Sequence, residues 1–465
     1  MEFSLSQEVE LTGIITRSFG IRVGFLSRLN CGNQSIDLVG TELLETGKAA
    51  IVSGIIDEHA GKMQLKIKKV VVLQGKEADE TLKKIRKKAG ENVLIKEYSP
   101  LVNDEVMNSL SPLISEASRK ILSASALERF VLLRFHGDAD GISGAIALTK
   151  MCKMHATQQN MAIYSVGEAM RDLQTLHHEF MPLMILLDFG SNSDSEEGLR
   201  LLKAAGIEIL IIDHHPPGKK AKEIADLYVS PWAVSSNEDV SKYPAGYIAI
   251  EIARIGGISG VDGFAKTSCA GDKSKIIEIG EKDKERALVL DYMASYSGFG
   301  NNLEFYSSVM NQPELFHSML MQAQEKIEQI FETVKLTLKE RETNGVKIAI
   351  IDLDRISKKH EFPSKGKIAT RVFESINATD PLVVIGYSKK TVLFRINDQA
   401  VERGISADKI IAELKITMKD FVENGGGHAK AAALRIREEF ARDAVEEIVK
   451  VIERIARSQQ LEASI

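Results

Sequence analysis

The first 75 residues alternate short apolar stretches with glycine-containing turns. Five of these stretches have the length and the branched apolar side chains of β-strands, and they cover residues 9–17, 21–29, 35–40, 49–58 and 62–73. Short strands separated by frequent turns are typical of a small all-β fold. We therefore predict a small β-barrel over residues 1–75.

The pattern changes after residue 75. Residues 76–128 are rich in Lys and Glu at helical spacing and predict a helical connector. Beyond it, apolar strands alternate with amphipathic segments, and the three clearest strands cover residues 130–135, 184–187 and 207–212. Alternating strands and helices predict a parallel sheet with crossover helices. We expect this α/β domain to cover residues 129–342.

A second α/β pattern occupies the rest of the chain. A long amphipathic helix is predicted from Pro313 to about Arg341, and we interpret Asn344-Gly345 as its stop signal. Strands follow at residues 346–352, 382–387 and 391–395. The predicted class is therefore α/β, with a parallel-sheet domain, a smaller α/β domain over residues 343–465 and a preceding β-barrel.

Composition narrows the class of protein. The chain has 465 residues, of which 44% are hydrophobic and 27% charged, as in water-soluble globular proteins with several domains. No apolar run is long enough to span a bilayer, and residues 1–13 do not resemble a signal peptide. Three cysteines without a CxxC pair argue against a disulfide framework. We expect a cytoplasmic protein that has no membrane partner.

The formal net charge of −5 argues against a protein that coats nucleic acid non-specifically. It does not exclude an enzyme that acts on nucleic acid, because an acidic metal centre can offset basic patches elsewhere in the chain.

Acidic and imidazole side chains follow three predicted strands, at the point where each strand ends. They belong to His136-Gly-Asp138-Ala-Asp140, to Asp188 and to Asp213-His214-His215. The carboxyl ends of parallel strands meet at one edge of a sheet, so these carboxylates would repel one another unless cations neutralise them. A ligand set of carboxylates and imidazoles without thiolates suits Mn²⁺ or Mg²⁺, and its size predicts two ions.

Each motif by itself is weak evidence for a functional site. An Asp after an apolar strand is common, an Asp-x-Asp-Gly sequence also occurs in calcium loops and turns, and a His-His pair is often satisfied locally. We interpret His177-His178, in a predicted helix, as structural. Gly425–Gly427 alone would indicate a flexible turn, and Arg395 alone is as often structural as functional. The joint occurrence of three strand-end motifs favours the metal centre.

The ordered set of motifs resembles the DHH/DHHA1 phosphoesterases, specifically the RecJ-like exonucleases of the archaeal type. The resemblance covers about residues 129–455. The motifs that carry it are His136-Gly-Asp-Ala-Asp-Gly141, Asp188-Phe-Gly190, Asp213-His-His215, Gly271-Asp-Lys273 and Gly425-Gly-Gly-His-Ala429.

The resemblance implies a role for each matching residue. The implied metal ligands are His136, Asp138, Asp140, Asp188, His214 and Asp272, with Asp188 as the bridge. Asp213 and His215 are the implied catalytic residues, which orient the site or contact the scissile phosphate. The implied substrate-binding residues are Arg395, Gly425, Gly426, Gly427 and His428.

The activity that the resemblance implies is a Mn²⁺- or Mg²⁺-dependent exonuclease for single-stranded DNA or RNA. The β-barrel resembles an OB-fold, which often binds single strands. Bacterial RecJ proteins carry their OB-fold after the catalytic core, so cleavage polarity does not transfer, and the barrel could instead bind a partner. A DNA helicase or replication protein is the partner that family analogy suggests.

Two other functions stay open. The same residues would support a phosphodiesterase for short oligonucleotides or cyclic dinucleotides. A replication or repair scaffold derived from the same fold is the second alternative, although a scaffold is free to lose metal ligands that this chain retains.

Overall fold

The structure is a computed structural model that describes residues 3–236, 238–296, 303–356, 362–376 and 378–462. Side chains are described throughout these ranges except at positions 238, 239, 424, 426–428 and 459–462. The chain divides into two compact units, Met1–Pro313 and Glu314–Ile465. Within the described ranges, no helix is both long and apolar enough to cross a membrane.

The first unit begins with a closed five-stranded barrel in the order β1-β2-β3-β5-β4. Its strands are β1 (Glu8–Gly20), β2 (Phe25–Asn30), β3 (Ser35–Gly40), β4 (Ala49–His59) and β5 (Lys62–Val72). Strands β3 and β5 are parallel and the other pairs antiparallel. Alternate apolar side chains, such as Leu38 and Val52, fill the interior. The barrel prediction is confirmed, and the topology is compatible with an OB-fold.

Two helices, α1 (Gly75–Glu91) and α2 (Glu105–Ala126), follow the barrel as predicted. Ile14 of the barrel is fully buried and packs in one apolar cluster with Ile85 of α1, Leu127 and Phe180. Glu128 accepts hydrogen bonds from Thr16 Oγ1 at 2.7 Å and from Arg28 Nε at 2.8 Å. The barrel is therefore packed into the first unit rather than tethered to it.

A five-stranded parallel sheet forms the centre of the first unit, in the order β10-β9-β8-β6-β7. Its strands are β6 (Val131–His136), β7 (His155–Gln159), β8 (Leu183–Leu187), β9 (Glu208–Ile212) and β10 (Leu227–Val229). The helices are α3 (Ala139–Thr149), α4 (Val166–Leu176), α5 (Glu196–Ala204), α6 (Ala221–Ile224), α7 (Ala245–Ile255), α8 (Asp262–Gly271), α9 (Glu281–Ala294) and α10 (Leu303–Asn311). The parallel-sheet prediction is confirmed.

The strand order creates a topological switch point between β6 and β8. The chain passes from β6 to β7 in one direction, whereas β8, β9 and β10 follow one another in the opposite direction. Loops diverge at such a point and leave a crevice at the carboxyl ends of the two strands, where ligands of open α/β sheets bind.

The second unit contains a six-stranded mixed sheet in the order β11-β12-β13-β14-β16-β15. Its strands are β11 (Lys339–Thr343), β12 (Val346–Asp352), β13 (Leu382–Ser388), β14 (Thr391–Ile396), β15 (Val422–His428) and β16 (Ala431–Ile436). The helices are α11 (Pro313–Thr337), α12 (Leu353–Ile356), α13 (Lys365–Ile376), α14 (Asp398–Glu402), α15 (Ala407–Thr417) and α16 (Ala441–Glu462). Helices α15 and α16 bury one face of the sheet, and α11 and α13 the other.

Two local predictions are wrong. Helix α11 does not continue to Arg341, because residues 339–343 form the edge strand β11, antiparallel to β12. Asn344 and Gly345 have φ values of 46° and 71° and form the hairpin turn, for which Asn-Gly is a stronger signal than for a helix end. Gly425–Gly427 are not a flexible turn but lie on strand β15. The predicted domain limits stay predictions.

Candidate metal centre

Three neighbouring strands deliver the motif residues to one edge of the parallel sheet. Strand β6 ends at His136, and Asp188 and Asp213 come directly after β8 and β9. Asp188 has a φ of 65°, in the left-handed region that non-glycine residues rarely adopt. Its amide donates to the Ile212 carbonyl at 2.8 Å, which holds this conformation. Such a strained residue at a strand end is typical of functional sites.

The side chains at this edge form three overlapping groups, each able to hold a metal ion. The groups are Asp188 with His214 and His215, His136 with Asp138 and Asp188, and Asp140 with His214 and Asp272. All six predicted metal ligands lie in these groups, and their role as ligands stays a prediction. Asp188 and His214 each belong to two groups, so each could serve as a ligand in either of them.

Distances within the groups are short. His136 Nδ1 lies 2.7 Å from Asp138 Oδ2 and 3.4 Å from Asp188 Oδ2. His214 Nε2 lies 3.5 Å from Asp188 Oδ1 and 3.1 Å from Asp272 Oδ2. With Asp140, four carboxylates and two imidazoles therefore surround one small volume.

Two buried carboxylate oxygens fit a cation. Asp140 Oδ2 and Asp188 Oδ1 are buried, and neither has a hydrogen-bond partner among the described residues. A buried charged oxygen without a partner is costly, and a coordinated cation removes that cost. With oxygen and imidazole donors around them, these residues fit a divalent ion such as Mn²⁺ or Mg²⁺.

Protein donors orient the Asp140 carboxylate. Its Oδ1 atom accepts hydrogen bonds from the Gly246 amide at 3.0 Å and from Ser268 Oγ at 2.5 Å, so Oδ2 is left for a ligand. A Cβ atom at position 246 would lie 2.6 Å from Asp140 Oδ1, so only glycine permits this approach. Sequence reasoning missed both donors. Neither a single glycine nor a single serine is a motif, so nothing in the local sequence marked them.

A backbone carbonyl orients His214. The Nδ1 atom lies 2.8 Å from the Ser241 carbonyl oxygen, which can only accept, so Nδ1 carries the proton. Nε2 then has the lone pair that a metal requires. This arrangement, in which the second ring nitrogen donates to a carbonyl, is usual for metal-binding histidines.

Asp213 orients its neighbours and has no free oxygen. Its Oδ2 accepts hydrogen bonds from the amide and hydroxyl of Ser191, and its Oδ1 accepts them from the amides of His214 and His215. The His215 ring donates from Nδ1 to Asp213 Oδ1 at 2.8 Å, and this side chain is 44% exposed. His215 is therefore held with part of its ring facing solvent.

The first turn of α3 is also built around carboxylates. Asp138 caps this helix, since its Oδ1 accepts the Gly141 amide at 3.0 Å while its Oδ2 contacts His136. Asp291 of α9 accepts the Ala139 amide at 2.8 Å. Asp291 lies far along the chain and belongs to no motif, so sequence reasoning did not identify it.

The concentration of negative charge shifts the pKa values of the site. Burial, with the charges of Asp188 and Asp272, raises the pKa of Asp140 well above its ordinary value. Burial raises the pKa of Asp272 to about 6. Burial opposes the charged form of His214, but Asp272 and Asp188 outweigh it and raise the pKa of His214. The metal-free site therefore retains protons that a bound cation displaces.

The predicted substrate-binding residues lie in the second unit. Arg395, on β14, is half-buried and donates from Nε to Thr370 Oγ1 at 2.9 Å and from Nη1 to the Phe394 carbonyl at 2.7 Å. Gly425, Gly426, Gly427 and His428 lie on the edge strand β15, which among the described strands pairs only with β16. The His428 side chain lies outside the described residues. Their substrate-binding role stays a prediction.

Two domain families match the chain. The model described as "DHH family, N-terminal domain" matches residues 130–253, and the model of the DHHA1 domain matches residues 363–458. The chain therefore contains a DHH domain and a DHHA1 domain. The resemblance inferred from the motifs is therefore confirmed for these domains, and three of the four predicted metal-binding motifs lie within the DHH match.

Solved structures share the fold. A DHH domain described as a member of a family of ribosomal proteins has a TM-score of 0.73 and 23% identity, and the match covers 82% of this chain and 99% of that one. RecJ from Thermus thermophilus, solved in complex with Mn²⁺, has a TM-score of 0.51 and 15% identity, over 79% of this chain and 58% of that one.

A relative from Methanocaldococcus jannaschii, an uncharacterized protein, is 24% identical over 488 aligned positions. The alignment covers 90% of this chain and 64% of the relative, so this chain spans less than two thirds of that protein's length.

Proposed function

We propose that the chain is a divalent-metal-dependent exonuclease that hydrolyses phosphodiester bonds of single-stranded DNA or RNA. The observation that supports this proposal best is the set of three overlapping metal-capable groups at the switch point of the DHH sheet, with two buried carboxylate oxygens that lack partners among the described residues.

The proposed roles follow the geometry. The six metal ligands would be His136, Asp138, Asp140, Asp188, His214 and Asp272. When bound, two Mn²⁺ or Mg²⁺ ions would lower the pKa of an attacking water and stabilise the negative charge that develops on the phosphate. Burial opposes the charged form of His215, but Asp213 outweighs it and raises the pKa of this histidine. The protonated ring, held by Asp213 through Nδ1, can therefore donate from Nε2 to a phosphate oxygen that enters from solvent.

Nucleic acid is the proposed substrate class because two features agree with it. The fold is shared with a RecJ protein solved with Mn²⁺, and the N-terminal barrel has a topology compatible with the single-strand-binding OB-fold. Arg395 and the Gly425–His428 strand would bind the substrate backbone. A helicase or replication protein as partner stays a prediction.

The proposal is tested by digesting end-labelled single-stranded DNA and RNA with Mn²⁺, Mg²⁺ or a chelator. The variant Asp138→Asn/Asp140→Asn should lose at least about 100-fold in rate, because it removes two negative ligands. Asparagine is preferable to alanine, since it can still cap α3 and accept from Gly246.

The matched control is Asp262→Asn, whose side chain is 62% exposed and pairs with Arg254 outside the three groups. Its rate should equal that of the wild type. Undiminished hydrolysis by the double variant would sink the proposal. A preference for di- to pentanucleotides over long strands would replace it with a short-oligonucleotide phosphodiesterase.

A further inference from the structure

We infer that residues 241–246 form a backbone frame for the metal centre, and that a hydrogen bond from Tyr243 to Asp104 in the helical connector anchors this frame. The inference rests on the proposed function, because it concerns how the predicted metal ligands are positioned.

The frame contacts three parts of the site that lie far apart in the chain. The Ser241 carbonyl accepts from His214 Nδ1 at 2.8 Å, and the Gly246 amide donates to Asp140 Oδ1 at 3.0 Å. The Lys242 carbonyl accepts from Ser274 Oγ at 2.5 Å, and Ser274 lies two residues beyond Asp272. A shift of this backbone would therefore move all three predicted ligands relative to one another.

The frame is attached to the connector through Tyr243. Its side chain is buried, and its hydroxyl donates to Asp104 Oδ2 at 2.6 Å. Asp104 is itself fixed, because its Oδ1 caps helix α2 by accepting the Met107 amide at 2.9 Å.

A second set of contacts fastens the connector to helix α7, which begins within the frame. Glu251 of α7 is fully buried and accepts hydrogen bonds from the Leu101 amide at 2.7 Å and from the Tyr247 hydroxyl at 2.9 Å. The Tyr247 hydroxyl in turn accepts the Val102 amide at 3.0 Å. The connector therefore contacts α7 at two places: at Tyr247 in its first turn and at Glu251 one turn further along.

Asp104 and Tyr243 are accordingly positioning residues, remote from the reacting atoms. Coordination requires ligand atoms to be held within about half an ångström of their productive positions. Partners that contact a ligand directly affect metal affinity by about 10–100-fold, and a residue one contact further away should have a smaller effect.

The test uses the full chain and measures Mn²⁺ affinity by isothermal titration. Tyr243→Phe removes only the hydroxyl, and we expect it to weaken Mn²⁺ binding by about 3- to 10-fold. Asp104→Asn, which can still cap α2, removes the charged acceptor and should give a similar loss. Because both act through one hydrogen bond, the double variant should be no weaker than either single variant.

A readout on the metal-free protein distinguishes positioning from general destabilisation. In Tyr243→Phe with chelator, the Gly246 amide should exchange with solvent faster, while amides of the β-barrel exchange at the wild-type rate. The matched control is Tyr387→Phe in the second unit, whose hydroxyl also donates to a carboxylate, Asp352 Oδ2 at 3.0 Å. It should leave Mn²⁺ affinity unchanged.

The outcomes are distinct. Unchanged Mn²⁺ affinity in both Tyr243→Phe and Asp104→Asn, or an equal loss in Tyr387→Phe, overturns the inference and leaves the proposed function standing. Strictly additive losses in the double variant also overturn it. If the wild-type chain binds no Mn²⁺, the proposed function falls and the inference falls with it.

Discussion

At the scale of single residues, the aspartates of the site differ in how their two oxygens are used. Asp213 has both oxygens occupied by protein donors, whereas Asp140 has one oxygen held and one buried without a partner among the described residues. The sequence does not distinguish them, because Asp213 follows one predicted strand and Asp140 belongs to a motif that follows another. Their division into an orienting residue and a candidate ligand follows from the donors around them.

Replacing Asp140 by asparagine should separate stability from metal binding. Burial and the neighbouring carboxylates disfavour the charged form of Asp140, and Asp140→Asn removes this cost, so the metal-free protein should become more stable by on the order of 1 kcal/mol. Stabilisation by Mn²⁺ should be lost. Thermal unfolding in chelator and in excess Mn²⁺ measures both effects. A variant that is less stable than the wild type in chelator, yet equally stabilised by Mn²⁺, would contradict this prediction.

The pKa shifts predict how pH affects the metal-free protein. The pKa of Asp272 is about 6 against an ordinary 3.8, so the folded state holds this proton more tightly and loses stability as pH rises between about 4 and 6. The raised pKa of His214 contributes stability that is complete below pH 6.5 and is lost as pH rises through the folded-state value. In chelator, stability should therefore fall as pH rises from about 4 to about 6, and fall again as pH rises above 6.5.

Unfolding scans across this pH range, with chelator and with Mn²⁺, check the prediction. Mn²⁺ should stabilise more as pH rises, because the ligands must release protons to bind it. Asp272→Asn is the control: it should weaken the dependence between about pH 4 and 6, where the raised pKa of Asp140 still contributes, and keep the histidine part. An unaltered profile in this variant would be evidence against the assignment.

At the scale of elements, the site depends on the close approach of α3 and α7. A Cβ atom on Gly144 of α3 would lie 2.7 Å from the Gly246 Cα atom of α7, so glycines allow the two backbones to touch. The first-turn amides of α7 have no partner within the helix, and one of them reaches Asp140. The approach of α7 to α3 at Gly246 therefore both packs the two helices together and orients Asp140.

Gly246→Ala should disrupt this contact. The added methyl would overlap Asp140, and we expect a loss of about 1–3 kcal/mol in unfolding free energy together with weaker Mn²⁺ binding. Denaturant unfolding and Mn²⁺ titration measure the two effects. The control is Gly167→Ala in helix α4, where a Cβ atom would meet nothing closer than 3.8 Å. It should be neutral or stabilising by about 1 kcal/mol, and equal behaviour of the two variants would rule out the packing argument.

At the scale of the whole molecule, the barrel and the DHH domain share buried surface. Ile14 is fully buried among residues of α1 and the DHH region, so deleting residues 1–75 would expose an apolar face and confound any test of what the barrel binds. Point variants are the appropriate probes.

Ile14→Ala should lower the unfolding free energy by about 2–5 kcal/mol, as for other buried isoleucines. Val23→Ala, at a position that is 81% exposed on the barrel, should change it by less than about 0.5 kcal/mol. Denaturant unfolding compares them. If the two variants lose the same stability, the barrel does not pack as described.

The pattern of apolar and polar positions by itself predicted the five barrel strands, three of the five strands of the parallel sheet, and the strand ends that the acidic motifs follow. These features are local, because burial imposes a period of two on strands and a buried strand end is marked by its first polar residue. The same local reasoning failed at Asn344-Gly345, where one dipeptide suits both a helix end and a hairpin turn, and only pairing with β12 decides between them.

Only the tertiary structure decided the rest. Strand order, and hence the meeting of His136 with Asp188 at a switch point, depends on long-range pairing that local pattern does not encode. Gly246, Ser268 and the Ser241 carbonyl act through hydrogen bonds to residues up to 128 positions away. Glycine, serine and a backbone carbonyl carry no chemical signature in a sequence, so they gain a function only where the fold places them against a carboxylate or an imidazole.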